Sequence, residues 1–297
     1  MDKDAKKVYL LGLTGFWNRI VSTTIMKVHE SYKEERKDGV PVPDHSRNLS
    51  KLSPGRRIFG RWAVRIFSDG IETLNKRAFA IMETNPAATV LDLGTGDSKL
   101  LLYFSRRIQS KNLHAIDLTD NGVAGVKIFK GNLEEKFPIG DNSYDVVISS
   151  QNIEHIIDIP LYCSEIKRVL KPGGYAMILT ENLSSWVNIA ALVLGWTPFS
   201  TTNMFGKALG NPLVWHAELC DEKNIEEAYN KKYWGAVGHQ RVLTLRALKQ
   251  LFTDRGFSIE STFSGGYAVF TGFLESFFSL LDATHSQFIG IKIRKPS

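Results

Sequence analysis

The chain has 297 residues, 43% of them hydrophobic and 23% charged, with a formal net charge of +6. That size suits one α/β domain with an extension or two modest domains, and the balance is that of a soluble globular protein. Only two cysteines, Cys163 and Cys220, are present, which excludes a disulfide framework, and the CxxC and Cys/His spacings of a structural zinc site are missing. No metal is therefore expected, and reduced thiols point to the cytoplasm.

Residues 1–85 hold 16 Lys/Arg against 10 Asp/Glu and so carry the whole +6, whereas residues 86–297 balance at 21 against 21. This asymmetry suggests an anionic partner near the N-terminal segment. The lysines before a short apolar run at the N-terminus loosely fit a signal peptide, but Asp2, Asp4 and the lack of a small-residue cleavage site argue against one. No stretch reaches the roughly 18 apolar residues of a membrane span. The longest candidate, 187–199, is interrupted by Gly195 and Pro198. Lying on a membrane surface stays open.

In chain order, 1–85 reads as a basic helical extension with a polar break at 38–55. After the break Arg57, Arg61 and Arg65 recur every four residues beside a stripe of Ile58, Trp62 and Ile66, the pattern of an amphipathic helix. Its basic face is either solvated or turned toward an anionic or membrane partner. From 86 to 297 strands and helices alternate. Strands are expected at 89–93, 113–117, 126–130, 144–149, 175–180, 257–263 and 287–294. Helices are expected at 99–109 and 160–170, the second stopped by Lys171-Pro172-Gly173-Gly174. The fold class is α/β, a mostly parallel sheet with helices on both faces.

Between 183 and 240 the alternation stops. This insertion holds Trp186, Trp196, Trp215 and Trp234, and it reads as a lid over an acceptor pocket. Near the C-terminus, Phe273, Phe277, Phe278 and Leu281 fall near helical spacing. Packing on the sheet is expected of them, with contact to a membrane or a lipid-linked acceptor as the alternative.

The sharpest local signal is the run from Val90 to Ser98, in which a buried strand enters a turn through Gly94 and Gly96 before a helix. Such a turn cradles a nucleotide-like ligand. A dinucleotide fingerprint would place a small residue where Lys99 stands. Asp92 at the leading edge also suits a cationic ligand better than a pyrophosphate. S-adenosylmethionine, with its sulfonium and ammonium, has the right sign. Asp117, ending the second strand, can accept hydrogen bonds from two ribose hydroxyls, which fits any adenosine-type ligand.

Further motifs follow in order: Lys130-Gly131-Asn132-Leu133, Phe137-Pro138, 141–147, Glu154-His155, 165–174, and then 238–241 with 243–257. Together they resemble the class I S-adenosylmethionine-dependent methyltransferases (methyltransferase type 11-like), densely over 88–182. The resemblance implies a Rossmann-like seven-stranded sheet and S-adenosyl-L-methionine as cofactor. It places Asp92, Gly94 and Gly96 at the methionine end, Asp117 at the ribose, and Asn132 and Leu133 at the adenine. Ser149, Ser150 and Gln151 would line the reacting end. Asn132 stands where the family usually has Asp.

Only residues 118–125 separate the second and third strands, so the usual crossover helix is clipped or lost. This feature and the insertion beginning at Asn182 are similar to methyltransferases of surface-glycan synthesis. A hydroxyl acceptor would gain from a general base, and His155, His216 and His239 are the candidates, with His239 preferred. The expected activity is methyl transfer to a small-molecule or glycan-type acceptor at oxygen. A lipid or isoprenoid-quinone acceptor is the alternative, and a non-catalytic cofactor-binding regulator is another. No recognised RNA-binding module is present, so nucleic acid ranks behind these.

Overall fold

The computed structural model describes residues 39–42, 54–119, 123–201, 203–204, 207–213 and 238–297. Expectations placed on 1–38, 43–53 and 214–237, among them His216, Cys220, Trp215 and Trp234, lie outside the described residues. In chain order the elements are α1 (Pro54–Ile81), β1 (Thr89–Leu93), α2 (Lys99–Ile108), β2 (Asn112–Asp117), β3 (Val126–Lys130), β4 (Tyr144–Ser150), α3 (Ile159–Val169) and β5 (Leu170–Glu181). Then come α4 (Trp186–Val193), the short hairpin β6 (Asn203–Met204) and β7 (Lys207–Ala208), α5 (Leu245–Thr253), β8 (Ser258–Gly265), α6 (Gly272–Leu281) and β9 (Phe288–Arg294).

Seven strands form one sheet in the order β3-β2-β1-β4-β5-β9-β8. The five from β3 to β5 are parallel. Only β9 runs against its neighbours β5 and β8. The central strands are apolar on both faces because helices cover both sides, as a parallel sheet requires. On one face Val90, Ile148, Met177 and Leu179 pack with Leu74 and Ala78 of α1, Met82 just after it, and Leu101 and Phe104 of α2. On the other, Leu93, Val147 and Ile178 pack with Tyr162 and Ile166 of α3 and Leu248 and Phe252 of α5. The basic amphipathic helix read from the sequence thus supplies part of the sheet's covering.

Every expected strand of the sheet is found. β5 begins earlier than expected, because the Lys-Pro-Gly-Gly turn lies within the strand as a bulge. Pairing with β4 jumps from Tyr144↔Leu170 to Val146↔Tyr175, so residues 171–174 swell outward while the ladder continues. β2 and β3 pair in parallel with only residues 118–125 between them, and no helix appears among the described residues of that link.

The apolar tail departs from expectation. α6 forms, but it does not lay its phenylalanines on the sheet: Phe273 is 79% exposed and Leu280 69%, while Glu275 and Ser279 are buried. Hydrogen bonding fixes this orientation. Glu275 accepts from Thr73 Oγ1 (2.7 Å) in α1 and from the Gly266 amide (2.5 Å), and Arg77 of α1 donates to Ser276 O (2.5 Å) and to Ser279 Oγ (3.1 Å). Rolling the apolar face inward would break this set and strand buried charges, which costs more than exposing several apolar side chains.

α1 lies close enough to β8 that a Cβ at Gly265 would overlap the Gly70 carbonyl oxygen and sit 2.7 Å from the Leu74 amide. Neither backbone atom can swing aside. Gly265→Ala is expected to lose about 1–3 kcal/mol by overpacking, read as a lower urea midpoint at unchanged slope.

Candidate active site

The strand order reverses between β1 and β4, and in open α/β sheets that switch point opens a crevice at the carboxyl ends. The glycine turn leaves β1 there. Gly94 has φ +64° and its amide donates to Ile116 O (2.8 Å), carrying the β1–β2 ladder one step further. Its missing Cβ is required, because one would overlap Asn152 Oδ1. Asn152 Nδ2 in turn donates to Leu93 O (2.6 Å) and Ser150 O (2.9 Å), bridging the ends of β1 and β4. At Gly96 (φ +55°) a Cβ would meet nothing within 4 Å, so the turn there borders open space. The Gly96 amide donates to Asp117 Oδ2 (2.9 Å), while Asp117 Oδ1 accepts from the Thr119 amide (3.0 Å). Asp117 therefore stands across the turn from Gly96. Lys99 instead pairs with Asp97 at 2.5 Å in solvent.

Asp92 is 4% exposed. Burial, and to a smaller extent the charge of Asp117, push its carboxyl up to about 7, although a hydrogen bond from Thr95 opposes the shift. Two acids facing one crevice repel an anion and favour a cation. The Gly131 amide donates to Asp117 O (2.9 Å), which sets Asn132 beside Asp117, and Asn132 Oδ1 accepts from the Glu134 amide (3.0 Å). Leu133 packs against the core. Ser149 is fully buried, its hydroxyl 2.7 Å from the Tyr162 hydroxyl, so its side chain faces α3. Gln151 has φ +55°, and its Nε2 is buried without a hydrogen-bond partner among the described residues.

A second group of polar side chains sits beyond the ends of β4 and β5. The rings of His155 and His239 meet edge to face at 4.8 Å. His155 Nδ1 lies 3.1 Å from Gly238 O, and His239 Nδ1 lies 2.7 Å from Ser200 O and 3.5 Å from Glu181 Oε2. A proton on Nδ1 satisfies both carbonyls and makes Nε2 the basic nitrogen of each ring. Glu154 is buried; Thr180 Oγ1 donates to its Oε2 (2.8 Å), and its Oε1 has no partner among the described residues. Burial raises Glu154 and Glu181 above the usual carboxylate range, against the pull of the histidines. Burial works against a charged His239, but Glu181 and Glu154 outweigh it and hold the imidazole above its ordinary value. Donor atoms of Glu154, His155 and His239 lie within 4.8 Å of one another, a set that could also take a divalent ion after side-chain adjustment.

The insertion supplies part of this arrangement. Asn188 of α4 donates to Ser200 Oγ (2.8 Å) and to Asn182 O (3.0 Å), and its Oδ1 accepts from the Ser200 amide (3.2 Å). That network holds the Ser200 carbonyl toward His239. Two of the three histidines named from the sequence, His155 and His239, are thus brought together, and Asn152, Glu154 and Glu181 join them as residues not assigned a role from the sequence. Their only signal was position, directly after β4 or at the end of β5.

These features fit S-adenosylmethionine better than a dinucleotide: two acids, the buried Asp92 and the half-buried Asp117, stand at the turn, open space borders Gly96, and the Gln151 amide nitrogen is buried without a partner among the described residues. The profile of a family described as methyltransferase domain matches residues 62–262. Among curated relatives, a malonyl-[acyl-carrier protein] O-methyltransferase of Marinomonas is 30% identical over 50% of this chain and 60% of its own length. A ubiquinone biosynthesis O-methyltransferase of Rickettsia prowazekii is 30% identical over 46% of this chain and 58% of its own. A ubiquinone/menaquinone biosynthesis C-methyltransferase of Vibrio campbellii is 32% identical over 38% of this chain and 49% of its own. The chain thus spans about half to three fifths of the curated relatives it matches.

Asp117→Ala is expected to weaken S-adenosylmethionine binding by about 1.5–3 kcal/mol, the range for hydrogen bonds to a charged group, in calorimetric titration. Asp92 adds a pH dependence. Its folded value stands above that of a free carboxyl, so between pH 3.8 and about 7 the folded chain keeps a proton that the unfolded chain releases. Its contribution to stability therefore falls as pH rises through that window. Affinity for the cationic ligand should instead rise between about pH 6 and 7.5, and Asp92→Asn should flatten both responses.

Proposed function

The chain belongs to the methyltransferase-domain family, and we propose that it methylates a hydroxyl of a small-molecule or glycan-type acceptor with S-adenosylmethionine as donor. The observation that carries the oxygen reading is the half-buried His155–His239 pair backed by Glu154 and Glu181 at the ends of β4 and β5. A hydroxyl acceptor has a proton to lose as its oxygen is alkylated, and such a cluster can take it.

The bound cofactor supplies an electrophilic methyl group on a sulfonium. The chain's residues bind, orient and move the proton. Asp92 and the glycine turn receive the cationic end, Asp117 the ribose hydroxyls, and Asn132 and Leu133 the adenine edge. Ser149 contributes its place in β4, since its hydroxyl is engaged with Tyr162, and Gln151 offers its amide at the reacting end. With the cofactor held there, methyl transfer to the acceptor oxygen would break the sulfonium's bond to that methyl and leave a neutral thioether, and the acceptor's proton would pass to Nε2 of His239. Ser200 O and Glu181 hold Nδ1 and keep that ring aligned. His155 packs edge-on against His239 and limits its rotation.

A lipid or isoprenoid-quinone acceptor is the second reading. It is favoured by the exposed apolar face of α6, which lies at the same end of the sheet.

His239→Gln separates binding from turnover. With radiolabelled S-adenosylmethionine and a panel of glycan precursors and quinol analogues, kcat should fall about 10²–10⁴-fold, the usual contribution of a general base, while cofactor affinity holds. Undiminished kcat, or a methyl found on carbon or nitrogen of the product, would sink the oxygen assignment.

A further inference from the structure

We propose that the outward face of α6, with the arginine ridge of α1 beside it, docks this protein on an anionic membrane surface. This is independent of which acceptor is methylated. α6 is an amphipathic helix turned inside out. Glu275 and Ser279, two of its three polar residues, are buried and hydrogen-bonded and Ser276 is half-buried, while Phe273, Leu274, Phe277, Leu280 and Leu281 are exposed. The Phe273 and Phe277 rings stack at 6.0 Å, forming one apolar ledge. Glu275 is the only charged residue in α6, so its outward face carries no charge. A contiguous apolar face of this kind marks a docking surface.

The border of the ledge identifies the occupant. Asp69 of α1 accepts from the Gly272 amide (3.1 Å) at the start of α6, and Thr73 and Arg77, one and two further steps along the same i, i+4 ridge, bond Glu275 and Ser276. Followed the other way, that ridge reaches Arg65, which pairs with Asp69 at 3.5 Å, then the exposed Arg61, then Arg57. An uncharged apolar ledge continued by a row of cations matches a bilayer interface, where apolar side chains enter the acyl boundary and cations meet anionic headgroups.

Orientation agrees with function. β8 runs parallel to β5, because both oppose β9, and Gly265 and Glu181 both register with Phe288. The loop into α6 therefore leaves the sheet at the end that carries the glycine turn and the histidine pair. Trp186 Nε1, at the start of α4 directly after β5, donates to the Tyr267 hydroxyl (2.8 Å), and the Tyr267 ring stacks on Phe278 of α6. Docking through α6 would set the active-site mouth beside the bilayer. Among the described residues no helix is long and apolar enough to cross it.

Flotation of the full chain with phosphatidylcholine vesicles, with or without phosphatidylglycerol, tests this. The wild type should float with the phosphatidylglycerol vesicles and release in high salt. Phe273→Ser combined with Phe277→Ser should bind at least tenfold more weakly, and Arg61→Glu should lose binding to the anionic vesicles. Both variants alter exposed positions, and unchanged circular dichroism and S-adenosylmethionine affinity would show them folded. Three results would overturn the proposal: no flotation of the wild type, equal flotation of the double variant, or equal binding to neutral and anionic vesicles. A wild-type dimer that ignores vesicles and becomes monomeric in the double variant would assign the ledge to a second copy instead.

Discussion

At the switch point between β1 and β4, one side-chain amide joins two strand ends that would otherwise splay. Asn152 donates to the last carbonyl of β1 and to that of Ser150 in β4. Parallel strands leave carbonyl groups unsatisfied where they end, and one amide group with two donors meets both. The consequences spread along the chain. Because Asn152 occupies the space a Cβ would fill at Gly94, the turn after β1 must begin with glycine. The chain then passes Gly96 at positive φ and comes within hydrogen-bond reach of Asp117. One polar contact thereby sets the width of the crevice and the position of the acid at the end of β2.

Charge is distributed around that crevice in two ways. The charge of Asp117 adds to the burial that raises the Asp92 carboxyl, an arrangement that suits a positively charged ligand. Glu154 is also buried and Glu181 largely so, but they are compensated internally by His155 and His239. In the proposed reading the first pair is completed by the cationic ligand, whereas the second set can exchange protons within itself. Buried carboxylates are costly to keep, and both sets lie at the carboxyl ends of the central strands, where the fold places ligands.

α6 shows the same priority of polar over apolar contacts. Its pattern of phenylalanines and leucines suggests a helix that buries its apolar stripe. Glu275 and Arg77 reverse that outcome, because a buried carboxylate and guanidinium must find partners and those partners lie on α1 and β8. Hydrophobic burial is non-directional, while these hydrogen bonds are directional, so they decide which way the helix faces.

The sequence by itself determined the seven strands of the sheet and the glycine turn after β1. Strand and helix periods are local, as are the positive-φ demand at Gly94 and Gly96 and the acid at Asp117, so all were legible in short windows around residues 89–117 and 126–180. The bulge at 171–174 was not, because a Pro-Gly-Gly run reads as a turn whether or not the ladder resumes beyond it. Only the tertiary structure decided which residues meet. Nothing local brings His155 to His239, turns the Ser149 hydroxyl toward Tyr162, or sets Glu181 behind an imidazole from the far side of the insertion. Nor does the periodicity of α6 tell which of its faces is outward. Period reports that two faces differ, and only the neighbours that fill the space around a helix select the one that is buried.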